Sequence, residues 1–424
     1  MKPIVVLGSG LAGYSVIREL RKLDRDIPVT LVSRDSGDYY SKPMLSNAYA
    51  QGKDAAGLVL TRAAEMAAQL GITLLAETEV HAIDRTNKKL ASTAGELEYG
   101  RLVMALGADP IRIPVQGDAA DAVMSVNDIA DYARFRGLLG NKKTVRIDPS
   151  ASLRTEGFVE MRSSKGASTS SARTDVAIMG GGLIGCEFAN DWATAGYRVS
   201  VIDPGPYPLA SLMPEQAGKQ LLAPLAAIGV DWHFATSVSR VDRHEKGYTL
   251  TLADGTQLQT GLVLSAVGLR PRIALAQAAG LEVNRGIKVD AYLRSSDPAI
   301  YALGDCAEID GKVQPFVLPI MHAARALAKT LSGCETPVVF PAMPVVVKTP
   351  AHPVAVLPVA RDAVGSWQLR ANSDGVKMAF LDAEQCMSGF VLTGRYAAER
   401  NEMSKQIGHP FPAGTDSSLA GAKV

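Results

Sequence analysis

Cysteine is scarce: Cys186, Cys306, Cys334 and Cys386 are the only four in 424 residues, and no two stand at CxxC or CxxxxC spacing. That excludes a local zinc site or a local redox disulfide written into the chain, and the scatter fits a reducing compartment. The six histidines form no cluster with metal-ligand spacing, so no metal is expected. Long apolar runs are lacking too. Ile4-Val5-Val6-Leu7 stops at Gly8, short of a signal-peptide core, and no run of about 18 apolar residues follows. The expectation is a cytoplasmic protein that does not enter a membrane. Charge of one sign is also missing: 44 Lys plus Arg face 43 Asp plus Glu, a formal +1. Nucleic-acid binders gain affinity by neutralising phosphates, so none is expected as a partner. A local basic patch for an acidic protein is still open, because net charge says nothing about distribution.

Glycine, in contrast, is plentiful at 39 residues, and its placement is informative. The apolar strand Ile4–Leu7 runs into Gly8-Ser9-Gly10-Leu11-Ala12-Gly13, a helix-like stretch follows, and Val29-Thr30-Leu31-Val32 leads to Arg34 and Asp35. In such a unit the first glycine permits a tight turn, the second lets backbone approach a pyrophosphate, and the third lets helix and strand pack closely. The helix N-terminus supplies unsatisfied N–H groups to the phosphates. The unit recurs: Val176–Met179, then Gly180-Gly181-Gly182-Leu183-Ile184-Gly185, a helix, and a strand closing on Asp203. An acid there can accept ribose hydroxyls and repels a 2′-phosphate, which favours NAD over NADP. Two such units in one chain predict two dinucleotides, a resident flavin and a visiting nicotinamide.

Leu102–Gly107 and Leu262–Gly268 read as crossovers between the two units, and Ile300-Tyr301-Ala302-Leu303-Gly304-Asp305 ends a strand in Gly-Asp. With the two glycine fingerprints, this motif resembles the flavoprotein disulfide reductase superfamily with two dinucleotide-binding domains. The resemblance implies an α/β chain: two Rossmann-like domains, for FAD and NAD, plus a C-terminal α+β domain. The expected bounds are 1–112 and 269–335 for FAD, 113–268 for NAD, and 336–424 for the last domain. The disulfide-reducing branches carry a reactive cysteine after the second strand, where this chain reads Tyr39-Tyr40-Ser41-Lys42-Pro43-Met44-Leu45-Ser46. Without a thiol there, electrons must leave the flavin directly.

That segment, Gly185-Cys186-Glu187-Phe188-Ala189-Asn190-Asp191 and Met343–Pro350 resemble the bacterial rubredoxin–NAD(+) reductase branch, as found in alkane hydroxylation. The branch moves hydride from NADH to tightly bound, non-covalent FAD and then single electrons to rubredoxin, an acidic iron protein. A ferredoxin or flavorubredoxin is the alternative acceptor, and an NADH-sensing flavoprotein the alternative class. By resemblance, Gly8 to Gly13, Arg34, Asp35, Lys42, Val80, Asp305, Val317 and Lys348 contact FAD. Gly180, Gly182, Ile184, Gly185, Glu187 and Asp203 serve NADH. Lys42 and Glu187 are implied to meet near flavin N5, the lysine holding developing negative charge and the acid orienting it.

Pro319 is expected to open a helix running to Leu331, since proline suits a first turn. Arg18, Arg21, Lys22 and Arg25 fall on one helical face, and Arg325 and Lys329 on another; either stripe could steer an acidic carrier or be an ordinary solvated face. Related reductases run almost directly from a basic turn into the second fingerprint. Roughly thirty residues within 141–175 therefore look inserted, as a mobile loop or a sequencing artefact. Beyond about residue 335, prolines punctuate Val-rich runs that suit short antiparallel strands. The stretch from His409 is expected to be poorly ordered. A monomer or weak homodimer is expected.

Overall fold

The computed structural model describes residues 2–139, 172–360, 362–372 and 374–411. In chain order, β1 (Ile4–Leu7), α1 (Leu11–Leu23), β2 (Val29–Val32), β3 (Thr73–Leu75) and β4 (Arg101–Met104) form most of a first nucleotide unit. The second unit contains β5 (Ala172–Met179), α2 (Leu183–Thr194), β6 (Val199–Asp203), β7 (Val230–Phe234) and β8 (Gln257–Ser265). The chain then returns to the first unit with β9 (Ile300–Ala302) and α3 (Val317–Leu331).

The first sheet has the order β9-β4-β1-β2-β3, all parallel. Its strands are continuous apolar runs because helices cover a parallel sheet on its faces. All four residues of β1 are buried, and α1 lays Tyr14, Val16, Ile17 and Leu20 into the core shared with α3. The second sheet runs β7-β6-β5-β8 in parallel and continues into the antiparallel strands Gly247–Leu252 and Val238–His244. The two crossovers pair with each other: Ala108–Pro110 lies antiparallel to Leu269–Pro271. A five-stranded antiparallel sheet from Val345–Val347 to Met387–Thr393 completes the chain, as the proline-punctuated Val runs predict.

Three expectations need adjusting, and a fourth falls almost wholly outside the described residues. α3 begins at Val317, two residues before Pro319. Proline is tolerated there because the first-turn N–H groups have no intrahelical acceptor. The inserted segment lies outside the described residues except for its last few, where β5 starts at Ala172 and pairs with Leu258. His409 to Phe411 are held against the last sheet, with the Met387 N–H donating to the His409 carbonyl at 3.0 Å; residues 412–424 lie outside the described part. Half of the first basic stripe is drawn into structural contacts, while Lys22 and Arg25 stay exposed. Arg21 caps the helix Ala63–Leu70 through the Leu70 carbonyl (2.6 Å), Arg18 lies 4.0 Å over the Tyr39 ring, Lys22 pairs with Glu19, and Arg25 falls beyond the end of α1.

Candidate functional site

Both glycine fingerprints sit between a buried strand and the N-terminus of a long helix, α1 or α2. A Cβ on Gly13 would collide with the Gly8 carbonyl, and one on Gly185 with the Gly180 carbonyl, so only glycine allows these helices to approach their strands. Gly10 and Gly182, the residues just before each helix, differ. No side chain caps either helix, and a Cβ on either glycine would find nothing within 4 Å. Each loop therefore presents free first-turn N–H groups to open space, a cradle that fits a pyrophosphate. Leu11 is half-buried at the start of α1, Ala12 is buried, and Ile184 is exposed at the start of α2.

An acid braces each loop. Asp35 Oδ1 accepts from Ser9 Oγ (3.0 Å), Ser33 Oγ (2.5 Å) and the Gly37 N–H (3.0 Å). Asp203 accepts from the Gly181 N–H through Oδ2 (2.5 Å) and from the Gly205 N–H through Oδ1 (2.6 Å). Asp35 takes all three bonds on Oδ1, which leaves Oδ2 for a ribose hydroxyl, and each Asp203 oxygen has a second lone pair for the same use. Arg34 is exposed and reaches Asp109 at 4.0 Å. Val80 is half-buried on the strand Val80–Asp84, against the core below the first sheet.

The Gly-Asp motif forms a tight turn after β9 with Asp305 half-buried. Burial raises the Asp305 carboxyl above its ordinary value, against the pull of Lys42 and Arg272. Burial likewise pushes the Lys42 ammonium down; Asp305 opposes that and Arg272 adds to it. Arg272 was not singled out from the sequence. It donates to Asp109 through two nitrogens (2.7 and 2.6 Å) and to the Leu106 carbonyl (2.8 Å), joining the outgoing and returning crossovers. Burial works to raise Asp109, yet Arg272, with Arg34 and Lys42 behind it, holds the carboxyl low.

Glu187 occupies a different cluster. The expected Lys42–Glu187 pairing is not what the fold makes: Glu187, 1% exposed, pairs with Lys348 Nζ at 2.8 Å. Glu187 Oε1 also accepts the Lys348 backbone N–H (2.9 Å), while Oε2 accepts from Ser46 Oγ (2.5 Å). Lys348 Nζ donates further to Ser46 Oγ (3.0 Å) and to the Pro43 carbonyl. The reason is topological. The turn Lys42–Asn47 leaves Ser46 buried against α2, while Lys42 lies among the Asp305 and Arg272 charges and Lys348 enters from the last sheet. One helical turn beyond Glu187, Asp191 accepts the N–H groups of Tyr49 (2.9 Å) and Ala50 (3.0 Å), and Asn190 accepts that of Ala351 (3.1 Å). Burial raises Asp191 to about 6, with those two N–H groups and then Lys348 and Arg136 opposing. Ser46 and Asp191 lie inside segments that carry the resemblance, but nothing in their spacing marks them.

Val317 is 41% exposed at the first position of α3. Cys186 and Cys306 are fully buried, and burial raises both thiols, Cys306 to about 11, so neither is poised as a thiolate. Among the described residues no group of His, Cys, Asp and Glu could hold a metal, and no helix is long and apolar enough to cross a membrane.

Comparison with known proteins agrees with this geometry. The pyridine nucleotide-disulphide oxidoreductase family model matches residues 2–329, and one described as a rubredoxin binding C-terminal domain matches residues 337–407. The rubredoxin-NAD(+) reductase of Alcanivorax borkumensis is 42% identical, with 96% of this chain and 99% of the relative covered. That of Acinetobacter baylyi is 39% identical over 97% of this chain and 100% of the relative. Among solved structures, the covalent putidaredoxin reductase–putidaredoxin complex has the same fold (TM-score 0.80, 24% identity, 96% of this chain and 93% of the other).

Proposed function

The chain belongs to the pyridine nucleotide-disulphide oxidoreductase family, and from that premise we infer that it is an FAD-dependent NADH:rubredoxin reductase. The observation that carries this reading is a paired set: two glycine cradles in one chain, followed by a C-terminal segment that matches a rubredoxin-binding domain. FAD, when bound, accepts hydride from the nicotinamide and releases electrons one at a time. The rest is the work of side chains.

Gly8 to Gly13 hold the flavin pyrophosphate at the N-terminus of α1, with Asp35 and the exposed Arg34 at the adenosine ribose and Val80 at the adenine. Asp305, in the turn after β9, would accept from the ribityl hydroxyls, and Val317 at the start of α3 and Lys348 would hold the isoalloxazine edge. Lys42 supplies positive charge where the flavin gains negative charge, a preorganised electrostatic role. Gly180, Gly182, Ile184 and Gly185 would cradle NADH at the start of α2, Asp203 would bind its adenosine ribose, and Glu187 would serve the nicotinamide end. The four sequence spans given above are the domains we assign. We read the protein as cytoplasmic, a monomer or weak homodimer, and the electron source for an alkane hydroxylase-type system.

Anaerobic NADH titration of the purified protein followed by turnover with separate carriers tests the reading. Flavin absorbance that bleaches with NADH, followed by faster turnover with rubredoxin than with ferredoxin or flavorubredoxin, is the expected result. A preference for either of the other carriers, or a reduced flavin that no carrier reoxidises, overturns it.

A further inference from the structure

Lys42 is carried by a turn whose anchors come from elsewhere in the fold. Of the side chains that hold residues 43–50, Glu187 and Asp191 project from α2 in the nicotinamide-binding unit and Lys348 comes from the last sheet. Ser46 is 3% exposed and stands between acid and amine, donating to Glu187 and accepting from Lys348. Asp191 is 4% exposed and spends both oxygens on consecutive backbone N–H groups, Tyr49 and Ala50. Burying a carboxylate whose direct partners are two amides is costly, and an apolar residue would join the same surfaces more cheaply. What the carboxylate adds is direction: two charge-assisted bonds to adjacent amides fix the backbone in one orientation. Tyr49 adds a further tie to the second unit, its hydroxyl lying 2.6 Å from that of Tyr197.

We propose that Ser46 and Asp191 are positioning residues for Lys42, orienting from the nicotinamide-binding helix the lysine that serves the flavin. The proposal rests on the role given to Lys42 above. It makes that lysine's placement a property of the second unit, so the two nucleotide sites are set relative to each other by α2 and the turn it grips. Neither residue touches a cofactor in this scheme; both act through the backbone of the turn. Small misplacement of a charge at a reacting centre lowers rate steeply.

The test uses full-length, FAD-loaded protein with Ser46→Ala, Ser46→Thr, Asp191→Asn, Lys42→Met and the double variant Lys42→Met/Ser46→Ala. Three readouts are taken: FAD content with the flavin absorption spectrum, the flavin midpoint potential, and anaerobic single-turnover reduction by NADH. Expected results are about tenfold slower flavin reduction in S46A and D191N, recovery in S46T, and a lowered midpoint potential in the direction of K42M. In the K42M background S46A should cost nothing further, because the group it positions is gone. Wild-type rates and potentials in both S46A and D191N overturn the proposal, as do losses that multiply in the double variant. If K42M itself behaves as wild type, the role of Lys42 fails and the proposal falls with it, an outcome read from that single variant alone.

Discussion

Asp191 is a buried carboxyl whose ionised form works against stability. Its pKa in the folded protein is raised from the ordinary 3.8 to about 6, burial being the main cause. An acid raised on folding binds more protons in the native state than in the unfolded chain between those two values. Its ionised form therefore opposes folding fully above about pH 6, and the opposition fades as pH falls toward 4, by about 3 kcal/mol in all. The groups around it are Glu187 one turn away on α2, Lys348 from the last sheet, and Arg136 and Tyr132 from the helix Ile129–Leu139. In denaturant unfolding, the stability of wild type relative to Asp191→Asn should rise as pH falls from 7 to 4. A constant difference across that range would show that Asp191 is not raised. At the other end of the second unit, Asp203 braces the fingerprint loop through the Gly181 and Gly205 amides, and the proposed function puts the NADH ribose beside it. Asp203→Asn keeps an acceptor but removes the charge that repels a 2′-phosphate. The ratio of kcat/KM for NADH over NADPH should then fall by about tenfold or more, and an unchanged ratio would remove the specificity role.

At the scale of elements, the nucleotide units were legible because their chemistry is local. A strand, three glycines, a helix and a second strand must follow one another in sequence, and the turn must be glycine where backbone meets backbone. Gly185 makes the point: a Cβ there would strike the Gly180 carbonyl, a backbone atom that cannot turn aside. Gly185→Ala should force α2 away from β5 at a cost of about 1–3 kcal/mol and raise the Kd for NAD+ by tenfold or more, measured by titration against FAD-loaded protein. Retained affinity would show that the helix can retreat without disturbing its N-terminus. What could not be read was contact between distant elements. The spacing of Lys42 and Glu187 along the chain says nothing of which meets which, and a lysine 161 residues after the acid takes the place beside it. The stripe of Arg18, Arg21 and Lys22 has true helical periodicity, yet Arg21 is drawn to the end of another helix, whose free carbonyls need donors. Arg272 was silent for the same reason: its partner Asp109 lies in the other crossover, which only the folded chain brings close.

Over the whole molecule, three parts of the chain converge on one buried acid. Glu187 from the second unit binds Ser46 from the first and Lys348 from the segment that matches a rubredoxin-binding domain. A carrier docked on that segment would therefore stand on a surface rigidly tied to both nucleotide sites, which suits single-electron transfer without large motion. The formal charge of +1 gives the molecule no general attraction for an acidic carrier, so steering must be local. With Arg18 and Arg21 of the α1 stripe engaged by other elements, Arg325 and Lys329 are the better candidates. Both are exposed on α3, one turn apart, while Ala324, Leu327 and Ala328 face the core. Reversing both charges, Arg325→Glu with Lys329→Glu, should raise the KM for rubredoxin by about tenfold at low ionic strength. The penalty should shrink as salt rises, because screening over roughly 10 Å at 0.1 M weakens the repulsion as it weakens the attraction in wild type. Steady-state turnover across a salt series checks both parts. A KM and salt slope equal to wild type would move the docking site off this helix and onto the last sheet, where Val346 is 47% exposed beside Lys348.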